Sequence, residues 1–135
     1  MQLARITLWL AGLSFMGFGL AFLIAPLQTL ASTGIELSGA LAAAELRAFY
    51  GGLELGLGLL ILAADLRPES RRYGLILTAA AFGSIGLARA VAMGIGAVAS
   101  PFLWFALSTE LLLAVLALLS LRRLPPLSRG YAART

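Results

Sequence analysis

Apolar residues along the chain are gathered into four long runs that short polar segments separate. The runs cover residues 3–25, 40–64, 73–98 and 101–121. Each is about 20 residues or longer, the length that a helix needs to cross a hydrocarbon core of roughly 30 Å. Helix is the expected form, because backbone groups in lipid must find hydrogen-bond partners within their own segment. The pattern therefore predicts an all-α membrane protein, a single transmembrane domain built as a four-helix bundle and followed by a tail over 122–135.

The ends of these runs carry recognisable signals. Ser100 and Pro101 predict an N-cap and a first-turn proline for the fourth helix, and Ser38 is expected to cap the second helix in the same way. The first run is longer than the apolar core of a signal peptide, which has about 7–15 residues. We therefore expect it to remain in the protein as a helix.

Composition agrees with a lipid environment and narrows the chemistry. The chain is 61% hydrophobic and only 12% charged, with a mean hydropathy of +0.98, whereas soluble domains carry about 25% charged residues. Cysteine and histidine are absent, which removes thiol chemistry, imidazole catalysis and the usual ligands of zinc and haem. We expect no metal and no cofactor.

Basic residues mark one side of the membrane. All ten are arginines, and the loops over 28–38 and 94–100 contain none of them. The positive-inside rule then puts both termini in the cytoplasm. Topology explains the basic balance, so no nucleic-acid partner is expected. Eight arginines lie on the predicted cytoplasmic side: Arg5, Arg67, Arg71, Arg72, Arg122, Arg123, Arg129 and Arg134.

Charged residues also fall within the apolar runs, where they are costly and usually face the bundle interior in pairs. At a rise of about 1.5 Å per residue, Arg89 and Glu110 each lie about 12–14 Å below the outer edge. Glu54 then lies about 16–20 Å below it and Arg47 about 6–10 Å. Arg47, Tyr50 and Glu54 share one face of the second helix. These positions predict a polar cluster in the outer half of the bundle, while Glu45, near a helix start, points roughly the opposite way.

Two interpretations of this cluster stay open. In the first, the arginines and glutamates neutralise one another and lock the register of the helices. In the second, they bind a polar head group or a small ligand, or exchange a proton. The cluster comprises Arg47, Tyr50, Glu54, Arg89 and Glu110.

Glycines concentrate in the second helix. Gly51, Gly52, Gly56 and Gly58 are expected to let neighbouring helices approach closely, and Gly52 and Gly56 have the spacing of a GxxxG motif. Packing within the bundle is the first interpretation, and a face for a second copy of the chain is the alternative.

The segment from Ala44 to Gly58, AELRAFYGGLELGLG, resembles a known group. It is similar to the DUF4345 family of small bacterial four-helix membrane proteins, which in turn loosely resemble the DoxX-like proteins. The resemblance implies the bacterial inner membrane and no established activity, so it transfers no catalytic residue. The signature that it implies consists of Glu45, Arg47, Phe49, Tyr50, Gly51, Gly52 and Glu54.

Three classes of function follow. The favoured hypothesis is an integral membrane protein that binds a lipid or another amphiphile, or serves as an accessory subunit of a larger membrane complex. The alternative is a small transporter that uses buried carboxylates. An enzyme is disfavoured, since no nucleophile motif accompanies Ser84 or Ser108. The expected partners are the bilayer and a bound amphiphile, with a homo-oligomer or a larger complex left open.

Overall fold

The computed structural model describes residues 2–125, so Arg129 and Arg134 of the predicted tail lie outside the described residues. Helix dominates this range, in which no strand occurs. The elements are α1 (Gln2–Ile24), α2 (Pro26–Ala31), α3 (Ala40–Leu46), a π-helix (Arg47–Gly52), α4 (Leu53–Ala63), α5 (Arg71–Gly96) and α6 (Pro101–Arg123).

Within residues 2–125, four helical segments are long and apolar enough to cross a membrane: Gln2–Ile24, Ala40–Ala63, Arg71–Gly96 and Pro101–Arg123. This confirms the predicted fold class of four membrane-spanning helices. The second of these segments, called the second span below, joins α3, the π-helix and α4 into one continuous rod. Large apolar side chains such as Trp104 and Phe105 are exposed along the outer faces, as lipid contact requires.

One of the two predicted caps is confirmed. Ser100 caps α6, where its hydroxyl accepts a hydrogen bond from the backbone N–H of Leu103 at 3.2 Å, and Pro101 follows in the first turn. The prediction for Ser38 is wrong. Gly39 occupies the N-cap position of α3 without a side-chain bond, at φ 96°, a conformation that glycine adopts without the steric cost of a Cβ.

The π-helix Arg47–Gly52 carries the sequence RAFYGG in the middle of the second span. Its hydrogen bonds close over five residues, so each turn holds more residues than the 3.6 of an α-helix. The segment before it is therefore rotated relative to the α-helical wheel used for prediction. π-Helical turns are rare and occur frequently at functional sites.

The first helix is the centre of the bundle. α1 packs against the second span, α5 and α6, while α5 and α6 form the other closely packed pair. The aromatic rings of Phe15 and Phe82 meet in the middle, with centroids 4.5 Å apart. The buried core around them comprises Ala4, Leu8, Ala11, Ile61, Leu75, Leu113, Ala114 and Ala117.

Glycines bring α1 and the second span into backbone contact. A Cβ added at Gly58 would lie 2.7 Å from the carbonyl oxygen of Gly12, and one added at Gly51 would lie 2.8 Å from the side chain of Leu23. The prediction that the glycines pack within the bundle is wrong for Gly52 and Gly56. Both are exposed, and the space beside Gly56 is open to 4 Å, because they lie on the opposite face from Gly51 and Gly58.

The second span runs antiparallel to α1, and the two ends of the bundle differ. One end, called the arginine-rich end, contains the start of α1, the turn from α4 to α5 and the end of α6. The other end, called the far end, contains α2 and the loops over 32–39 and 97–100. Which end faces the cytoplasm stays a prediction.

Candidate functional site

An ion pair joins α5 to α6 in the half of the bundle nearer the far end. The guanidinium of Arg89 donates from Nε to both carboxylate oxygens of Glu110, at 3.0 and 2.9 Å, and from Nη2 to Oε1 at 2.6 Å. Charge-assisted hydrogen bonds of this kind are roughly twice as strong as hydrogen bonds between neutral groups. The Glu110 side chain is 10% exposed and the Arg89 side chain 25%, so one edge of the guanidinium stays open. Its Nη1 makes no hydrogen bond within residues 2–125.

A small residue permits this pairing. Gly86 lies one turn before Arg89 on α5, and a Cβ there would come within 3.3 Å of the Cβ of Glu110. Gly86 therefore marks the level of Glu110 in the bundle. The Phe15–Phe82 contact puts Gly19 at the same level, because α1 and α5 run in the same direction and each advances four residues from that contact.

Glu54 lies in this same layer. A Cβ at Gly19 would come within 2.6 Å of the backbone N of Leu55, so the adjacent Glu54 is level with Glu110 across the bundle. Its Oε2 atom is buried and has no hydrogen-bond partner within residues 2–125. Glu54, Arg89 and Glu110 are called the polar layer below. It combines a satisfied ion pair with an unsatisfied carboxylate oxygen.

The other two residues of the predicted cluster lie at its edge. Arg47 is exposed and donates from Nε to the carbonyl of Leu23 at 3.1 Å. That carbonyl belongs to the last turn of α1, which lacks partners within its own helix, so Arg47 caps α1. Tyr50 is half-exposed, and its ring lies 5.1 Å from that of Phe22.

An apolar cavity of about 430 Å³ adjoins the polar layer at the far end, between α5 and α6. Met93, one turn beyond Arg89, and Leu107, one turn before Glu110, belong to its lining together with Trp104. This volume lies in the range of small-molecule sites, about 300–1,000 Å³. An apolar cavity beside a few convergent polar groups is the usual composition of such a site.

A second polar centre, at the arginine-rich end, was not predicted. Asp65 is buried in the turn after α4 and binds three donors. Its Oδ2 accepts from Arg5 Nε and from Trp9 Nε1, each at 3.1 Å, and its Oδ1 accepts from Arg71 Nε at 2.8 Å. Asp65 thereby ties α1, α4 and α5 together. The sequence does hold a signal, since Arg5 and Trp9 are four residues apart on one face of α1.

The environment of Asp65 favours its charged form. Burial alone would raise the pKa of the carboxyl group. The hydrogen bonds from Trp9 and Arg5 and the charge of Arg71 outweigh that cost and lower the pKa below 3.8. All its oxygens are engaged, so we assign Asp65 a structural role.

No group of three or more metal-ligating side chains occurs within residues 2–125.

Comparison with known proteins identifies one family. Residues 3–121 match the model of a family described as a domain of unknown function, DUF4345, which confirms the resemblance of the second span. No curated protein and no solved structure matches the chain.

Proposed function

The chain belongs to the DUF4345 family, to which no activity is attached, and we propose that it is an integral membrane protein that binds an amphiphile at the polar layer. The unpartnered Oε2 of Glu54 carries this proposal. A buried acceptor without a donor costs free energy, about 1–3 kcal/mol for a neutral group and more for a charged one. A bound molecule that donates a hydrogen bond there would remove this cost.

The residues of the polar layer determine which hydrogen-bonding groups the ligand must carry. Glu54 needs a donor, such as a hydroxyl or an N–H group. The open edge of Arg89, including Nη1, offers donors to an oxygen acceptor. A ligand that carries both a donor and an acceptor would satisfy both. Its apolar part would occupy the cavity at Met93 and Leu107.

The Glu110 carboxylate would have a supporting role. Its Oε2 and Oε1 accept from Arg89 Nε and Nη2 in a bidentate manner, which fixes the guanidinium plane and leaves its outer edge free for a ligand. The structural interpretation of the ion pair and the binding role of the layer are therefore compatible. The same binding site would suit an accessory subunit that presents an amphiphile to a larger membrane complex.

The proposal includes location and orientation. The arginine-rich end would face the cytoplasm, because arginines are retained on that side during membrane insertion. Both termini would then be cytoplasmic in the bacterial inner membrane, and the polar layer would lie in the outer half of the bilayer.

The test is the recovery of a bound small molecule from protein purified in mild detergent, measured by mass spectrometry of the extract. We expect Glu54→Leu, which removes the acceptor oxygen, to lose the molecule without a loss of helicity. Glu69→Leu is the matched control, since Glu69 is exposed at the arginine-rich end. Equal recovery from both variants would contradict the proposal.

Transport is the second candidate, because the free carboxylate oxygen of Glu54 is also what a proton-coupled exporter needs. Glu110 is held by Arg89, which leaves Glu54 as the exchanging group. A proton flux in proteoliposomes that Glu54→Gln abolishes would favour transport over binding.

A further inference from the structure

A groove opens between α4 and α5 at the arginine-rich end, on the opposite side of the membrane from the polar layer. Its volume is about 500 Å³, and the residues that matter here are Leu60, Ala63, Arg67, Ser70, Tyr73 and Leu77. They are called the α4–α5 groove below. Its floor is closed, because Gly74 lets α5 approach so near that an added Cβ would lie 2.5 Å from the Cβ of Ala64.

The polar groups of the groove collect at its mouth. Arg67 is exposed, and its side chain makes no hydrogen bond or ion pair within residues 2–125. By contrast, Arg71 is engaged by Asp65 and Arg72 by the carbonyl of Pro125. Ser70 precedes α5, yet its hydroxyl makes no capping bond. In the described part of the chain, the mouth of the groove is thus lined by a guanidinium and a hydroxyl that have no side-chain partner.

The walls of the groove are apolar and face the lipid. Leu60 is 59% exposed, and Leu77 lies six residues into α5, or about 9 Å along the helix axis. Tyr73 is 63% exposed at the mouth, where an amphipathic ring matches the depth of lipid head groups. The groove therefore runs from the polar interface into the hydrocarbon region, in the same direction as a phospholipid.

The charge of this end selects the head group. Among residues 2–125 it holds six arginines against two acids, Asp65 and Glu69. Such an excess attracts anionic lipids, and basic pockets between membrane helices bind their phosphate groups. We infer that the α4–α5 groove binds one anionic phospholipid, with its phosphate at Arg67 and Ser70 and an acyl chain between Leu60 and Leu77. The arginines at this end are Arg5, Arg67, Arg71, Arg72, Arg122 and Arg123.

The experiment is a native mass-spectrometric titration of the delipidated full chain in detergent. Phosphatidylglycerol and phosphatidylcholine with identical acyl chains are the two probes. We expect phosphatidylglycerol to bind more tightly, and Arg67→Gln to weaken it about fivefold, since one arginine near a membrane surface contributes about that factor. Arg123→Gln is the matched control, because it removes the same charge at the same end outside the groove. Equal weakening by both, or no preference between the two lipids, would overturn the inference.

Two further arms test the acyl-chain wall and the identity of the site. Ala63→Phe, at an exposed position, fills the groove without changing charge and should also reduce binding of phosphatidylglycerol. Soluble glycerol 3-phosphate should fail to displace the lipid, and displacement would contradict a role for the apolar walls. Glu54→Gln should leave the preference intact. Its loss there would assign the signal to the polar layer and overturn the inference, whatever the outcome of the proposed function.

Discussion

The contact of Gly58 with α1 makes a sharp prediction about stability. A Cβ at this position would lie 2.7 Å from the carbonyl oxygen of Gly12 and 2.9 Å from the backbone N of Met16. Both atoms belong to the backbone of α1, so no side-chain rotation relieves the overlap. In Gly58→Ala the two helices must therefore move apart by several tenths of an ångström along their closest contact.

The magnitude follows from two opposing effects. Overpacking of this kind costs about 1–3 kcal/mol, and the higher helix propensity of alanine returns up to about 1 kcal/mol. We therefore expect Gly58→Ala to lower the free energy of unfolding by about 1–2 kcal/mol. Gly56→Ala receives the same propensity gain without the clash, because the space beside Gly56 is open. It is expected to be neutral or slightly stabilising.

The assay is unfolding of the purified chain in mixed micelles, followed by far-ultraviolet circular dichroism as the denaturing detergent increases. Gly58→Ala should unfold at a lower detergent fraction than Gly56→Ala. Equal midpoints for the two variants would refute the close approach of α1 to the second span.

Three other outcomes are expected. Stability should fall as the pH drops below about 4, because a carboxyl group whose folded pKa lies below 3.8 stabilises only while charged, and Asp65→Asn should flatten this dependence in pH-resolved unfolding. Glu110→Gln, which leaves the partly exposed guanidinium of Arg89 without its carboxylate, should cost up to about 3 kcal/mol in the same micelle assay, whereas replacing both residues by apolar ones should cost less. Because the chain has no cysteine, single cysteines can report orientation: one at Glu69 should react only from the cytoplasmic side and one at Glu36 only from outside.

The fold was readable because lipid imposes simple rules on a sequence. An apolar run of about 20 residues must be helical in a bilayer, and the four observed segments begin and end within two residues of the predicted bounds. Ser100 was readable as a cap because Pro101 follows it. Ser38 was misread, because a glycine at positive φ starts the helix instead.

The depth of the charged residues along their helices also predicted part of the candidate site. Counting residues from the span ends put Arg89, Glu110 and Glu54 near one level, and the structure pairs the first two. The direction of Arg47 was less accessible. A π-helix begins at that residue, and the 100° wheel does not describe such a turn.

Packing among glycines and the Asp65 centre required the structure. Spacing alone cannot tell which of Gly56 and Gly58 faces a neighbour, because apolar residues surround both in the sequence. In the sequence, Asp65 looks like an ordinary acidic residue of a loop. Only the structure shows that three helix ends converge on it. The pairing of Arg5 and Trp9 on one face was the available hint.

The central claim is that Glu54 receives a hydrogen bond from a bound amphiphile. Solid-state NMR of the chain in native membranes, with the side-chain carboxyl carbons of glutamate labelled, tests it most directly. We predict a correlation between the Glu54 carboxyl carbon and protons of a non-protein molecule, which delipidation removes and Glu54→Gln abolishes. A Glu54 carboxyl that contacts only protein and water protons in those membranes would contradict the claim.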